Sequence, residues 1–377
     1  MEKLINGRFL LRQFQSEDLP VFKELIRTSW NGNHVLLKSE ALIRWQYQGF
    51  GANAGMHFPV LFDKDGRMIG FRGVFPVEVN VPTKTGIITT TMAVGSLYLV
   101  IPEFRGQKLG LALQQFTQEC YGNYMAIGSN LGTSAPIYKK SGYLMLDQMR
   151  RYLVPFNEDY NSLLIEPNDS YKQYLWKNVG DTVEEAKLSP NELSLIWGNS
   201  PLSKMLSINK SESFWKWRYL NHPTYKYFIF GGKDEGGIVV GRICHFYKDN
   251  GVMSKKTLFR ILEIIPTDEY PDSQIFSQKL HDLVCGVLSW AKANECAGAE
   301  AYLTTNVFDT ILKQCGMLLN TKVNDLNIIS NYEPMTISPK LTNVSIYLGE
   351  DNIIGDFNSV YMSLADADQD RPNIVHL

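Results

Sequence analysis

Four short patterns recur in this chain in the same order and at a nearly constant spacing. Trp45-Gln46-Tyr47 returns as Trp217-Arg218-Tyr219, Ile69-Gly70 as Val240-Gly241, Ile101-Pro102 as Ile265-Pro266, and Gly142-Tyr143 as Gly316-Met317, at offsets of 172, 171, 164 and 174 residues. A period of that length is the size of a whole domain, so the 377 residues read as one architecture built twice. In the first copy, Arg8 to Phe14 alternates as a strand and Ser16-Glu17-Asp18 offers an N-cap to a helix reaching Ser29. A short helix ends in Trp45-Gln46-Tyr47, Phe58 to Phe62 and Met68 to Val79 form a hairpin, and Thr89 to Ile101 is a strand stopped by Pro102. Leu109 to Tyr124 has helical spacing, Met125 to Ser129 is a strand, and Ser134 to Ser141 a short helix. The fold class expected is α/β (α+β): two tandem domains, each a mixed central sheet flanked by helices. Residues 1–158 form the first and 190–377 the second, with a polar linker at 159–189, a late strand at Asn343 to Leu348 and a polar tail.

Charge removes one class of function. With 37 basic against 39 acidic side chains the net charge is −2, which lacks the basic footprint of a nucleic-acid binder. The five cysteines have neither disulfide-framework nor zinc-motif spacing and are expected to be reduced core thiols, with no metal. No apolar run has the length of a signal peptide or a membrane span, so a cytoplasmic protein is expected.

The most informative segment follows Pro102. A short loop, Arg105-Gly106-Gln107-Lys108-Leu109-Gly110, opens directly into an amphipathic helix. Unpaired N–H groups and the positive end of the helix dipole gather there, glycine allows close approach, and Arg105 and Lys108 add charge. A pyrophosphate meets those requirements; a solvated basic turn is the alternative.

These residues resemble the GNAT N-acyltransferase superfamily, whose phosphate loop reads Arg/Gln-x-x-Gly-x-Gly/Ala after a strand ending in Val-x-Pro. Val100-Ile101-Pro102 supplies the strand end and Arg105 and Gly110 the outer loop positions, while Lys108 stands where the family has its first glycine. Tyr138-Lys139-Lys140-Ser141-Gly142-Tyr143 matches a second signature, Tyr-x-x-x-Gly-Phe/Tyr. The resemblance spans Phe9 to Leu153 and implies acyl-CoA as co-substrate, held by Val100, by Arg105 to Gly110 and by Asn130, with the pantetheine arm along Gly95 to Val100. It makes Tyr138 the acid for the departing sulfur, or else a packing tyrosine. The strand from Ile87 to Ile101 has no carboxylate to act as base, which leaves His34 and His57 as the available imidazoles.

In the second copy the corresponding loop, Thr267 to Asp272, carries three acids and no glycine, so CoA is expected to bind the first half alone. Trp217, Arg218, Tyr219, His222 and Tyr225 gather aromatic rings around one arginine, suited to clamping a nucleotide or to forming a helix core. That segment, with Asp366 to Pro372 in the tail, resembles tandem enzymes of surface-polysaccharide pathways such as the anthrose-type N-acyltransferases. The implied acceptor is the amine of a nucleotide-linked deoxysugar, bound between the halves. The tail's alternating Asp366, Asp368 and Asp370 lack the glycine and glutamate of a calcium loop and read as a solvated run. The alternatives are a FemAB-like peptide or aminoacyl transferase and a non-catalytic acyl-CoA sensor or scaffold. A homodimer is possible; no nucleic-acid or membrane partner is expected.

Overall fold

The computed structural model describes residues 1–50, 55–177, 180–247, 253–267, 278–320, 342–349 and 356–372. Strands β1 (Glu2–Ile5), β2 (Phe9–Gln13), β3 (Pro59–Phe62), β4 (Met68–Thr83), β5 (Gly86–Val100), β6 (Tyr124–Ile127) and β7 (Leu144–Leu146) belong to the first half, with helices α1 (Leu19–Ser29), α2 (Glu40–Gln48), α3 (Leu109–Tyr121) and α4 (Ser134–Lys140). Next come β8 (Arg150–Pro155), α5 (Pro190–Asn199), β9 (Leu206–Ile208), and α6 (Glu212–Trp215), which continues as a π turn to Leu220. The second half adds β10 (Phe228–Gly232), β11 (Gly237–Tyr247), β12 (Met253–Pro266), α7 (Gln278–Ala293), β13 (Gly298–Leu303), α8 (Asp309–Gln314), β14 (Leu318–Leu319), β15 (Val344–Tyr347) and β16 (Val360–Tyr361).

One sheet runs β1-β2-β3-β4-β5-β6-β15-β7, with β9 joined to β4 and β16; the other runs β10-β11-β12-β13-β8-β14. The orders β3-β4-β5-β6-β15-β7 and β10-β11-β12-β13-β8-β14 run in step, each with a strand supplied from the other end of the sequence. β8 follows the first half in sequence yet lies between β13 and β14, and β15 follows the second half yet lies between β6 and β7. The expected first unit, 1–158, thus gives its final strand to the other sheet. The expected linker is packed: it forms two 3₁₀ turns, Glu158–Leu163 and Asp169–Tyr174, with Tyr160 and Tyr171 buried.

The repeated tryptophans meet at the junction. Trp45 and Trp217 stack with centroids 5.4 Å apart, Trp45 Nε1 donates to the Trp217 carbonyl (2.9 Å) and Trp217 Nε1 to the Trp45 carbonyl (2.8 Å). Reciprocal bonds between equivalent residues are what a pseudo-twofold relation between the halves requires. Helix α3 ends at Tyr121, short of the expected Tyr124, because Gly122 takes a left-handed φ of 71° and turns the chain into β6. Ser16–Asp18 forms a 3₁₀ turn before α1, its Asp18 held by Arg12 at 2.7 Å. Among the described residues, no helix is long and apolar enough to cross a membrane.

Candidate active site

Strands β5 and β6 pair in parallel at only two positions, Ala93 with Tyr124 and Val94 with Met125. Beyond Gly95 they part, and a cavity of about 1040 Å³ opens between them. The opposite neighbour, β4, stays paired with β5 through an irregularity between Arg72 and Val74, where Gly73 faces the bulged Ser96-Leu97. The cavity's wall includes Val100, Arg105, Gly106, Lys108, Leu109, Gly110, Asn130, Tyr138 and His34, so residues far apart in sequence and singled out for one site do share it. Gln107 is exposed and lies outside the lining; His57 is also exposed and outside it.

The loop reaches its left-handed backbone by an unexpected route. Gly106 has φ 82° and Lys108 φ 60°, so the lysine at the expected glycine position adopts the left-handed backbone itself, at a cost of about 1 kcal/mol relative to glycine. No side chain caps α3 at Lys108, which leaves the first N–H groups and the positive helix end at the cavity. Arg105 Nε donates to the Val100 carbonyl (3.0 Å), which fixes the loop to the end of β5 while its outer nitrogens stay at the surface. Tyr98 donates a short hydrogen bond to the Gly110 carbonyl.

Tyr138, on α4, is buried, and its hydroxyl accepts from Arg72 Nη2 at 2.6 Å and lies 3.0 Å from the Tyr124 hydroxyl. Burial pushes the Tyr138 phenol up, and the Arg72 cation pulls it back down. Arg72 is the important residue that sequence reading missed. It is 1% exposed, donates to the Ser96 carbonyl (2.8 Å), and among the described residues forms no ion pair with a carboxylate. A buried guanidinium facing a cavity without a counterion is a place for developing negative charge. Gly95 makes room for it: a Cβ there would sit 1.9 Å from the Tyr124 hydroxyl and 2.2 Å from Arg72 Nη2. A cue was present in the one arginine within the apolar run Met68 to Val77 of β4.

The tail, expected to be solvated, is instead inserted between the sheets. Asp370 is fully buried against Arg218 (3.1 Å) and Arg242 (2.7 Å), and Asp366 against Lys210 (3.0 Å), which also pairs with Glu263 (2.7 Å). Asp368, between them, turns into the cavity. Its carboxylate accepts from Ser96 Oγ (2.8 Å) and Gln369 Nε2 (3.0 Å), and Gln369 also donates to the Ile127 carbonyl at the end of β6 (2.9 Å). The three aspartates diverge, so they do not form a cation loop. His34 lines the cavity, but burial and then Arg371 push its pKa down to about 3, making it a neutral acceptor poorly matched to deprotonating an ammonium group.

The aromatic segment does not form a ligand clamp. Arg218 is fully buried and donates to the Ala365 carbonyl (2.6 Å), the Tyr227 hydroxyl (3.2 Å) and Asp370, so its donors are used within the protein. Tyr219 donates to Glu263 (2.6 Å), Trp217 stacks on Trp45, and Tyr225 lies under Arg242 at 3.9 Å. His222 packs edge-on to Trp45, and burial pushes its pKa down to about 2. None of the five lines the cavity. Apolar rings gathered around a paired cation are a junction core here. The acidic segment Asp268 to Asp272 lies outside the described residues.

No family model matches the sequence, and no curated protein matches it. Solved structures do. A probable N-acyltransferase from Enterococcus faecalis aligns at TM-score 0.53 and 11% identity over 90% of this chain and 72% of that one. An N-myristoyltransferase from Saccharomyces cerevisiae, crystallised with myristoyl-CoA, aligns at 0.57 and 10% over 96% and 91%. A GCN5-related N-acetyltransferase from Anabaena variabilis aligns at 0.51 and 12% over 90% and 72%. At these identities the likeness is one of architecture: the chain has the mixed α/β, GNAT-like fold of these proteins.

Proposed function

We propose that this protein is an acyl-CoA dependent N-acyltransferase whose single donor site is the cleft between β5 and β6. The observation that carries the reading is the juxtaposition in one cavity of an uncapped, cationic helix start at Arg105 to Gly110 and the Arg72–Tyr138 pair beyond the strand bulge. The first suits a pyrophosphate, and the second suits a thioester whose sulfur leaves as an anion. The cavity volume is sufficient for a substrate of this size. Acyl-CoA serves as the donor, in keeping with the myristoyl-CoA bound to the yeast N-myristoyltransferase of the same fold.

The acceptor amine enters beside Asp368, whose carboxylate takes the ammonium proton and leaves a neutral nitrogen. That nitrogen attacks the thioester carbon; the C–S bond breaks as the C–N bond is completed, and Tyr138 gives its proton to the sulfur. Arg72, donating to the Tyr138 oxygen, stabilises the transient phenolate, which recovers a proton from the amine nitrogen. The unpaired edge of β5 beyond Gly95 is available for the thioester carbonyl. For the acceptor, a nucleotide-linked amino sugar remains the specific reading. Its support is the tail's resemblance and the tail's place in the cavity, since the Trp217 to Tyr225 segment is occupied internally. Tyr138 and Asp368 lining one pocket favour this reading over a non-catalytic sensor.

Calorimetric titration with acetyl-CoA tests the donor site. Arg105→Ala, changing an exposed side chain, should weaken binding by about 1.5 to 3 kcal/mol, the value of one charge-assisted contact. Unchanged affinity would remove the loop from the site.

A further inference from the structure

Helix α7 places His281 and Cys285 four residues apart on one face, and Cys315 ends α8 beside them. Their ligand atoms lie within 4.8 Å of one another, with His281 Nε2 3.7 Å from Cys285 Sγ. A tetrahedral zinc ion with Zn–S near 2.3 Å and Zn–N near 2.0–2.1 Å needs an N···S edge of about 3.6 Å. The second ring nitrogen supplies an independent sign. His281 Nδ1 lies 3.1 Å from Asp282 Oδ1, and with its proton on that side the Nε2 lone pair faces the thiols. This is the carboxylate–histidine arrangement that orients a metal ligand. Both thiols are buried, at 4% and 1% exposure, while the histidine reaches the surface, so an ion has a way in.

We propose that His281, Cys285 and Cys315 bind a thiophilic d¹⁰ cation, zinc before copper(I), which staples α7 to α8. The site lies outside the cavity lining and is independent of the acyl-transfer reading. Two thiolates and one imidazole exclude magnesium and calcium, which take oxygen ligands. Among the described residues the cluster offers three ligands, which leaves one position of the tetrahedron for water. Binding displaces the two thiol protons, so affinity should rise with pH. Sequence spacing hides the site, because Cys315 lies 30 positions after Cys285, with β13 between their helices.

The full chain, purified under reducing conditions and freed of metal, is titrated anaerobically with cobalt(II) as a spectroscopic probe. One equivalent should give thiolate-to-cobalt charge transfer and tetrahedral d–d bands, both erased by zinc. Cys120→Ser, outside the cluster, should keep the signal. Cys285→Ser and Cys315→Ser should lose it, and His281→Ala, which removes a partly exposed ligand with little effect on packing, should weaken affinity at least tenfold with unchanged circular dichroism. Copper(I) binding that outcompetes zinc would support the same site and assign its ion. Absence of the cobalt bands in the folded, reduced chain overturns the proposal. So does a Cys285–Cys315 disulfide in chain purified separately without reductant, seen as a mass two hydrogens lower and located by peptide mapping.

Discussion

Replacing Arg72 with glutamine tests whether the buried cation serves chemistry or architecture. The substitution removes the 2.6 Å donor to Tyr138 and the 2.8 Å bond to the Ser96 carbonyl, leaving the phenol beside the neutral Tyr124 hydroxyl at 3.0 Å. A charge-assisted bond of this kind contributes about 1.5 to 3 kcal/mol. If it acts as Tyr138 gives up its proton, turnover should fall roughly 10- to 150-fold, at 1.4 kcal/mol per decade. Global stability should change far less, by about 1 kcal/mol in either direction, because removing a cation without a counterion also removes its desolvation cost. Affinity for CoA should hold, since the phosphates are assigned to Arg105 to Gly110. The assay is steady-state acetyl transfer to a panel of amines, with urea unfolding and CoA calorimetry alongside. Adding Tyr138→Phe to Arg72→Gln should cost little more than either alone, because the two act as one unit. Multiplying effects, or a loss of CoA affinity equal to the loss of turnover, would refute the reasoning.

Three further outcomes are expected. Gly95→Ala places a methyl group 1.9 Å from the Tyr124 hydroxyl and should destabilise by about 1 to 3 kcal/mol in chemical denaturation, with Tyr124→Phe recovering part of the loss; no recovery would mean the clash is absorbed elsewhere. Asp368→Asn should lower kcat at least tenfold with little change in donor affinity, and raising the pH should restore much of the rate by deprotonating the amine without a base; a rate equal to the parent's dismisses Asp368 as base. Stability should decline as pH falls below about 6.5. The unfolded chain then protonates His34 and His222, whose folded pKa values, depressed to about 3 and about 2, keep them neutral, so the native state binds fewer protons. Each contributes a slope of up to about 1.4 kcal/mol per pH unit, and His34→Gln with His222→Gln should flatten the stability curve between about pH 6 and pH 4.

What the sequence determined was local or periodic. The recurring strand order was visible because matched motifs keep their spacing, and the strand-to-helix loop because Pro102 stops β5 and Gly106 marks the turn into α3. Tyr138 was legible because a tyrosine four residues before a glycine fixes one helix face and its end; Gly142, in the left-handed region, duly ends α4. The tertiary structure decided everything that depends on which surfaces meet. The exchange of β8 and β15 cannot be read from either strand alone, because each is a short, largely buried strand paired on both sides. Arg218 and Asp370 read as a possible clamp and a solvated tail, yet each is the other's counterion across 152 residues. Asp368 points the opposite way, into the cleft between β5 and β6, although it differs from its neighbours in no property that a linear pattern records. Burial and counterion distance are properties of the packed state, and they set whether a charged residue holds the fold together or faces a substrate.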